Sequence, residues 1–254
     1  KEVAEQLAGK LGYECISREV LLEASDHYNV PEVKLVRAIH DAPSFFDRFT
    51  YGKEKYITFI NDILFEYIQK DNIVYHGLAG HFLAKDLPNV LKVRIIANLE
   101  DRVKEEMKRE NISEKEARYR LTKDDQERRK WSMYLYGIDT QDSSLYDIVL
   151  HIDQFNVKDA VDILYYAVQK PCFQMNSDAK RTVEDLRLAA RAKAALVEKF
   201  PTAATKSRNG VLVVTVPGDI SHEEEVRKSV EGLLSSIAGI KKIDLHIIPI
   251  EAYD

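Results

Sequence analysis

The chain has 254 residues, of which 45% are hydrophobic and 31% charged, with a net charge of −5. That is enough apolar material for a core, room for two moderate domains, and no compositional case for disorder. A pI near 5.9 provides no global basic field, so nucleic acid and anionic membrane are disfavoured as partners. Two cysteines, Cys15 and Cys172, show no CxxC or Cys/His ligand spacing, so no metal site is expected and a reduced, cytoplasmic compartment fits. No apolar run reaches the roughly 18–20 residues of a membrane span, and nothing at the start reads as a signal peptide. Position 1 is lysine rather than methionine, which reads as a trimmed N-terminus.

Val3, Ala4, Leu7, Ala8 and Leu11 form the i, i+3, i+4 stripe of an amphipathic helix over 2–11, stopped by Gly12. Ser17 stands at the N-cap position of a short second helix, and a third begins near Pro31. Ile57, Ile60, Ile63, Leu64, Tyr67 and Ile68 repeat at helical spacing and predict a long helix over 53–70. Short β-like runs follow at 72–76 and 90–97, then a helix over 99–110 and a Ser113–Glu116 capping box opening a highly charged helix. A strand at 146–152 and a helix capped by Asn156 complete an alternation of strands and helices, the pattern of a parallel sheet covered by helices. From residue 171 onward basic and acidic residues are equal in number, so the net charge of −5 lies entirely in the first part. This last part reads as helix 182–200, strand 211–216, helix 221–237 and strand 241–250, with a domain boundary near residue 175.

The ordered runs KEVAEQLAGKLGYECISREVLLEAS, APSFFDRF, NIVYHGLAGHFLAKDLPNVLKVRIIANLEDRVKEEM, SEKEARYRLTKDDQERRKW and SLYDIVL resemble the cytidylate-kinase-like proteins over roughly residues 1–170. The resemblance implies a P-loop kinase-like α/β domain over 1–174, a phosphotransferase that uses ATP with Mg²⁺ and a nucleoside monophosphate such as CMP. It also implies a first strand and a Gly-rich loop of the G-S-G-G-[KR]-E type, of which Lys1-Glu2 would be the remnant. Lys1 would then reach the nucleotide phosphates at the N-terminus of the first helix. Arg18 matches a monophosphate-side arginine, and ARYRLTKDDQERRK resembles the family's lid, with Asp125 and Arg128 as a D-x-x-R pair on one helix face and Arg118 and Arg120 as further donors. The alternative for each is a solvated charge on a wet helix face.

Where the family shows G-R-G, the chain has His76-Gly77-Leu78-Ala79-Gly80, so Gly77 remains at the nucleotide position while leucine replaces the arginine. That departure keeps open a second reading, a catalytically weak or inactive nucleotide sensor. His76 and His81 flank the loop without metal-ligand spacing, and phosphoryl transfer of this kind needs no histidine base. Asp41 and Asp47 bracket the 43–46 segment where a substrate flap is expected, and Phe45, Phe46, Phe49, Tyr51 and Tyr56 serve either base stacking or local packing. Trp131, Tyr134 and Tyr136 close the lid helix and read as packing. The runs LRLAARAKAALVEKFP, VLVVTVPGDIS and VRKSVEGLLSSIAGIKKIDLHI are similar to a BON domain, which implies a small α+β binding module over 175–254 with an unknown ligand or protein partner.

Overall fold

The computed structural model describes residues 1–40, 52–77, 79–218 and 222–249. Asp41, Asp47, Phe45, Phe46, Phe49, Tyr51 and Leu78 lie outside the described residues. The elements run in the order α1 (Glu2–Leu11), β1 (Glu14–Ile16), α2 (Glu19–Tyr28), α3 (Glu32–His40), α4 (Gly52–Lys70), β2 (Ile73–Tyr75), α5 (Gly80–Leu83), β3 (Val93–Ala97), α6 (Leu99–Glu110), α7 (Glu114–Tyr136), β4 (Ile148–Ile152) and α8 (Val157–Val168). After these come α9 (Ser177–Leu196), β5 (Ala204–Arg208), β6 (Val211–Gly218), α10 (Glu223–Leu234) and β7 (Lys242–Pro249). They fall into two units. The first takes the described residues of Lys1–Arg18, Ile39–Phe46 and Asn72–Gln174, and the second those of Glu19–Ala38, Asp47–Asp71 and Met175–Asp254.

In the first unit β1 pairs in parallel with β2, from Glu14 against Ile73 to Ile16 against Tyr75. A second parallel pair, β3 with β4, runs from Val93 against Ile148 to Ala97 against Ile152. The sequence pattern anticipates parallel pairing but not its division into two pairs, and β1 escapes it because Glu-Cys-Ile is too short to show a period. One apolar cluster covers strands of both pairs: Leu7 of α1 with Val161 and Leu164 of α8 is packed by Val74, Val93, Ile148 and Leu150. Local signals fix the covering helices. α1 stops at Gly12, whose φ of 70° lets the next amide, Tyr13 N–H, turn back to Ala8 O at 2.9 Å. α8 opens with a reciprocal capping box, Asp159 N–H to Asn156 Oδ1 and Asn156 N–H to Asp159 Oδ2, both 3.0 Å. α7 begins where the sequence places it, with Glu116 N–H donating to Ser113 Oγ.

In the second unit β5, β6 and β7 form one mixed sheet, antiparallel between β5 and β6 and parallel between β6 and β7. Leu212, Val214 and Val216 alternate inward on β6 and are fully buried against Ala192 and Leu196 of α9 and Val230 and Leu234 of α10. β5 is absent from the sequence reading, yet its signal was present. Asn209-Gly210 joins β5 to β6 with φ of 54° and 81°, the left-handed pair that a two-residue hairpin requires. α9 begins earlier than expected, at Ser177, because Asn176 Oδ1 accepts from the Asp178 and Ala179 amides at 3.0 and 2.8 Å. α4 supplies Phe59, Ile60, Ile63 and Leu64 to the buried set. Among the described residues no helix is long and apolar enough to cross a membrane.

Candidate active site

In an open parallel sheet, ligands bind beyond the carboxyl ends of the strands. β1 and β2 end level with each other, and the His76 amide donates to Ile16 O at 3.0 Å. The residues immediately beyond are Ser17-Arg18 on one strand and Gly77 on the other, so the fold brings together two of the residues singled out from sequence. Because the chain reverses at Gly12, α1 runs back along β1, and its N-terminus faces the same end. There Lys1 O accepts from the Ala4 and Glu5 amides, no side chain caps the helix, and the Lys1 ammonium stands 3.6 Å from Glu5. The first amides of α1 therefore remain donors without intrahelical acceptors. Arg18 is exposed at this end.

The glycines of the loop after β2 have a local cause. A Cβ on Gly77 would lie 2.8 Å from the Tyr75 hydroxyl oxygen, and one on Gly80 would lie 2.7 Å from ring carbons Cδ1 and Cε1 of the same tyrosine. The Tyr75 ring fills the space beneath the loop, where burial pushes its hydroxyl pKa up to about 12. Gly80→Ala should therefore destabilise the protein by about 1–3 kcal/mol, the range for overfilling a packed site. A denaturant midpoint equal to that of wild type would show that the ring yields freely.

The highly charged stretch of α7 is engaged with α6 and with itself. Asp125 accepts both forks of Arg102 at 2.7 and 3.0 Å, so its partner is not Arg128, three residues on. Arg118 reaches Glu100 with two bonds of 2.8 and 2.6 Å and Glu114 at 3.0 Å, which holds the Glu100 carboxyl below its ordinary range. Arg120 pairs with Glu116, and Arg129 with Asp139 at 2.7 Å. Exposed pairs of this kind contribute little singly, but bidentate geometry fixes the angle between α6 and α7. Arg128 differs from them: it is exposed, and no hydrogen bond or ion pair ties its guanidinium to another described residue.

A third group, beside the loop, was not singled out as a cluster. His81 of α5 lies 5.0 Å, ring to ring, from Tyr146 and 4.1 Å from Phe82, and Phe82 stacks on Tyr136 at 4.5 Å. Trp131 is buried against the same rings, so Trp131 and Tyr136 pack as anticipated while Tyr134 is exposed. Arg94 donates to Thr140 O at 3.0 Å, and the Tyr146 hydroxyl donates to the same oxygen at 3.0 Å. Burial first and the Arg94 charge second lower the His81 pKa to about 4, so the ring is neutral at physiological pH. The signal for this cluster was an arginine inside the otherwise apolar strand run Val93-Arg94-Ile95-Ile96. Among the described residues no group of three or more His, Cys, Asp or Glu is placed to hold a metal ion.

Known proteins resemble part of this chain. Over 102 residues it is 40% identical to a protein named cytidylate kinase from Methanosarcina acetivorans, an alignment covering 39% of this chain and 56% of that one. A protein of the same name from Sulfolobus acidocaldarius is 26% identical over 170 residues, 66% of this chain and 87% of that one. A crystal structure of an uncharacterized protein from Eubacterium ventriosum aligns at 22% identity and a TM-score of 0.47, over 65% of this chain and 89% of that one. The chain thus spans little more than half the length of the Methanosarcina relative. Residues 1–154, well over half of the chain, match the Cytidylate kinase-like family as a whole, and the chain belongs to that family.

Proposed function

We propose that this protein transfers the γ-phosphoryl group of ATP to a pyrimidine nucleoside monophosphate such as CMP. The observation that carries the reading is the family match over residues 1–154, together with relatives whose name is cytidylate kinase. The arrangement of the first unit supports it. In the reaction a phosphate oxygen of the monophosphate attacks the γ-phosphorus, and the bond from that phosphorus to the β–γ bridging oxygen breaks, releasing ADP. Phosphoryl transfer asks the protein mainly for positioning and charge neutralisation. In this reading the α1 N-terminus and Lys1 face the nucleotide phosphates, Arg18 and the Gly77 loop border the acceptor, and α7 supplies Arg128. Asp125 is a positioning residue that acts through Arg102, while Arg118 and Arg120 are donors to phosphate once drawn away from their glutamates. Mg²⁺ supplies charge neutralisation when it arrives on the ATP phosphates, because a nucleotide-borne ion needs only one or two protein carboxylates. Residues 175–254 form, in the same proposal, a BON-like binding module, and the protein works in the cytoplasm.

The sensor reading is favoured by one observation, leucine at position 78 where the family's loop carries arginine. A coupled assay on the full-length protein with ATP, Mg²⁺ and each nucleoside monophosphate separates the two. The kinase reading expects turnover with CMP above that with purine monophosphates. Tight CMP binding without ADP release would establish a sensor, and neither binding nor turnover would overturn both.

A further inference from the structure

The second unit contains an open cavity of about 800 Å³ lined by α2, the end of α4, one face of α9, the β5–β6 turn and the segment between α10 and β7. We propose that it binds a phosphate-bearing small molecule of nucleotide size, at a site separate from the proposed phosphoryl-transfer site. This inference does not depend on the kinase reading, because every lining residue belongs to the second unit.

Charge and unused hydrogen-bonding capacity identify the ligand class. Arg187 and Arg191 line the cavity one helical turn apart on α9. Among the described residues their ion-pair partner is Glu66, at 3.3 Å from Arg187 and 4.0 Å from Arg191. The buried Asp62 also faces both guanidiniums, but the oxygen it bonds through accepts from the Tyr28 hydroxyl rather than from either arginine. Arg187 is further held by Gln69, whereas Arg191 makes no hydrogen bond to any described residue and keeps all five donors for an incoming group. Lys241 lines the cavity too and spends one of its three donors on Asn209 O at 3.1 Å. A planar guanidinium with a free fork matches a phosphate's oxygens two at a time, and an ammonium completes the clamp as a point charge.

The carboxylates lining the cavity do not occupy these donors. Asp185 is committed to the β5–β6 turn, accepting from the Asn209 amide at 2.8 Å, the Ser207 hydroxyl at 2.7 Å and the Gly210 amide at 3.3 Å. Glu184 offers an acceptor for hydroxyl or amino groups, which a nucleotide carries and bare phosphate lacks. Size points the same way, since about 800 Å³ sits high in the range of small-molecule sites and a lone phosphate would leave most of it to water. The Tyr28 ring and His27 supply aromatic wall for a base, with Tyr28 stacked on Phe59 at 3.9 Å and therefore held in place.

Hydrogen-exchange mass spectrometry of the 254-residue chain, with and without millimolar CMP, AMP or inorganic phosphate, locates binding independently of catalysis. The proposal expects slowed exchange over 184–195 and 236–241, stronger with the nucleotides than with phosphate. Arg191→Gln should weaken the effect at least tenfold in ligand concentration, with Lys241→Gln acting in the same direction should the first variant fold poorly. Arg128→Ala should leave it unchanged. Equal protection by inorganic phosphate would support the anion clamp and assign the site to free phosphate. Absence of protection in these segments with all three compounds, or protection that survives both substitutions, would overturn the proposal.

Discussion

Arg128→Ala in the full-length protein is expected to lower kcat by roughly 10²–10³, while leaving the thermal midpoint within a degree or two of wild type. Removing one donor that meets developing charge costs about 2.7–4 kcal/mol of transition-state stabilisation. Losing an exposed arginine that no other described residue pairs with costs almost no folding free energy. The choice of this residue over its neighbours follows from the pairing of α7: Arg118, Arg120 and Arg129 are occupied by carboxylates, and among the described residues Arg128 has no such partner. Arg102→Ala provides the contrast. It frees Asp125 and loosens the joint between α6 and α7, so its effect should appear in both stability and kcat. If steady-state kinetics show unchanged turnover in Arg128→Ala, the charged face of α7 is solvated surface and the transferring phosphoryl group is met elsewhere.

The second large effect concerns acid. His81 has a folded pKa of about 4 against an ordinary 6.5, so between those values the unfolded chain binds a proton that the folded chain refuses. Stability is then fully present above about pH 6.5 and is lost as the pH falls toward 4. The gap corresponds to about 3 kcal/mol once the pH lies below both values. The chain's single tryptophan, Trp131, packs against Phe82 beside His81 and gives a local fluorescence readout. Urea midpoints should fall more steeply for wild type than for His81→Gln between pH 7 and pH 4.5. Superimposable profiles would mean that the ring takes up its proton without disturbing the aromatic cluster.

Much of the architecture was legible because it is written in local chemistry. Asn156 and Asp159, Ser113 and Glu116, and the stop at Gly12 are short-range signals, and each helix edge they mark stands where it was expected. Elements defined by distant partners were harder to see. β1 is three residues long and exists because β2 lies beside it, and the entry to β3 is held from 55 residues away, where the Asp147 carboxylate accepts from the Lys92 amide at 2.7 Å. At the candidate site, sequence pointed to charged residues by type and position but could not say which charges are already neutralised. Asp125 looked like the partner of Arg128 because both sit on one helix face, and its bidentate bond to Arg102 depends on how α6 packs. Gly77 looked like a ligand-facing glycine, and the structure adds a reason internal to the protein, the Tyr75 ring beneath it.

The composition of the second unit bears on the order in which the protein can be made. Its α2 and α4 leave the ribosome early, whereas α9, which supplies Arg187 to Glu66, and Glu198 just beyond it, which pairs with Lys55, come 121 to 143 residues later. Until then the apolar face of α4 has no permanent cover, and the chain between must fold its own parallel strands while that face waits. Closing so long a loop slows folding more than it lowers final stability. A chain ended shortly before residue 177 and released from the ribosome should therefore hold a first unit that is protected from protease while α4 remains open to cleavage and to chaperone binding.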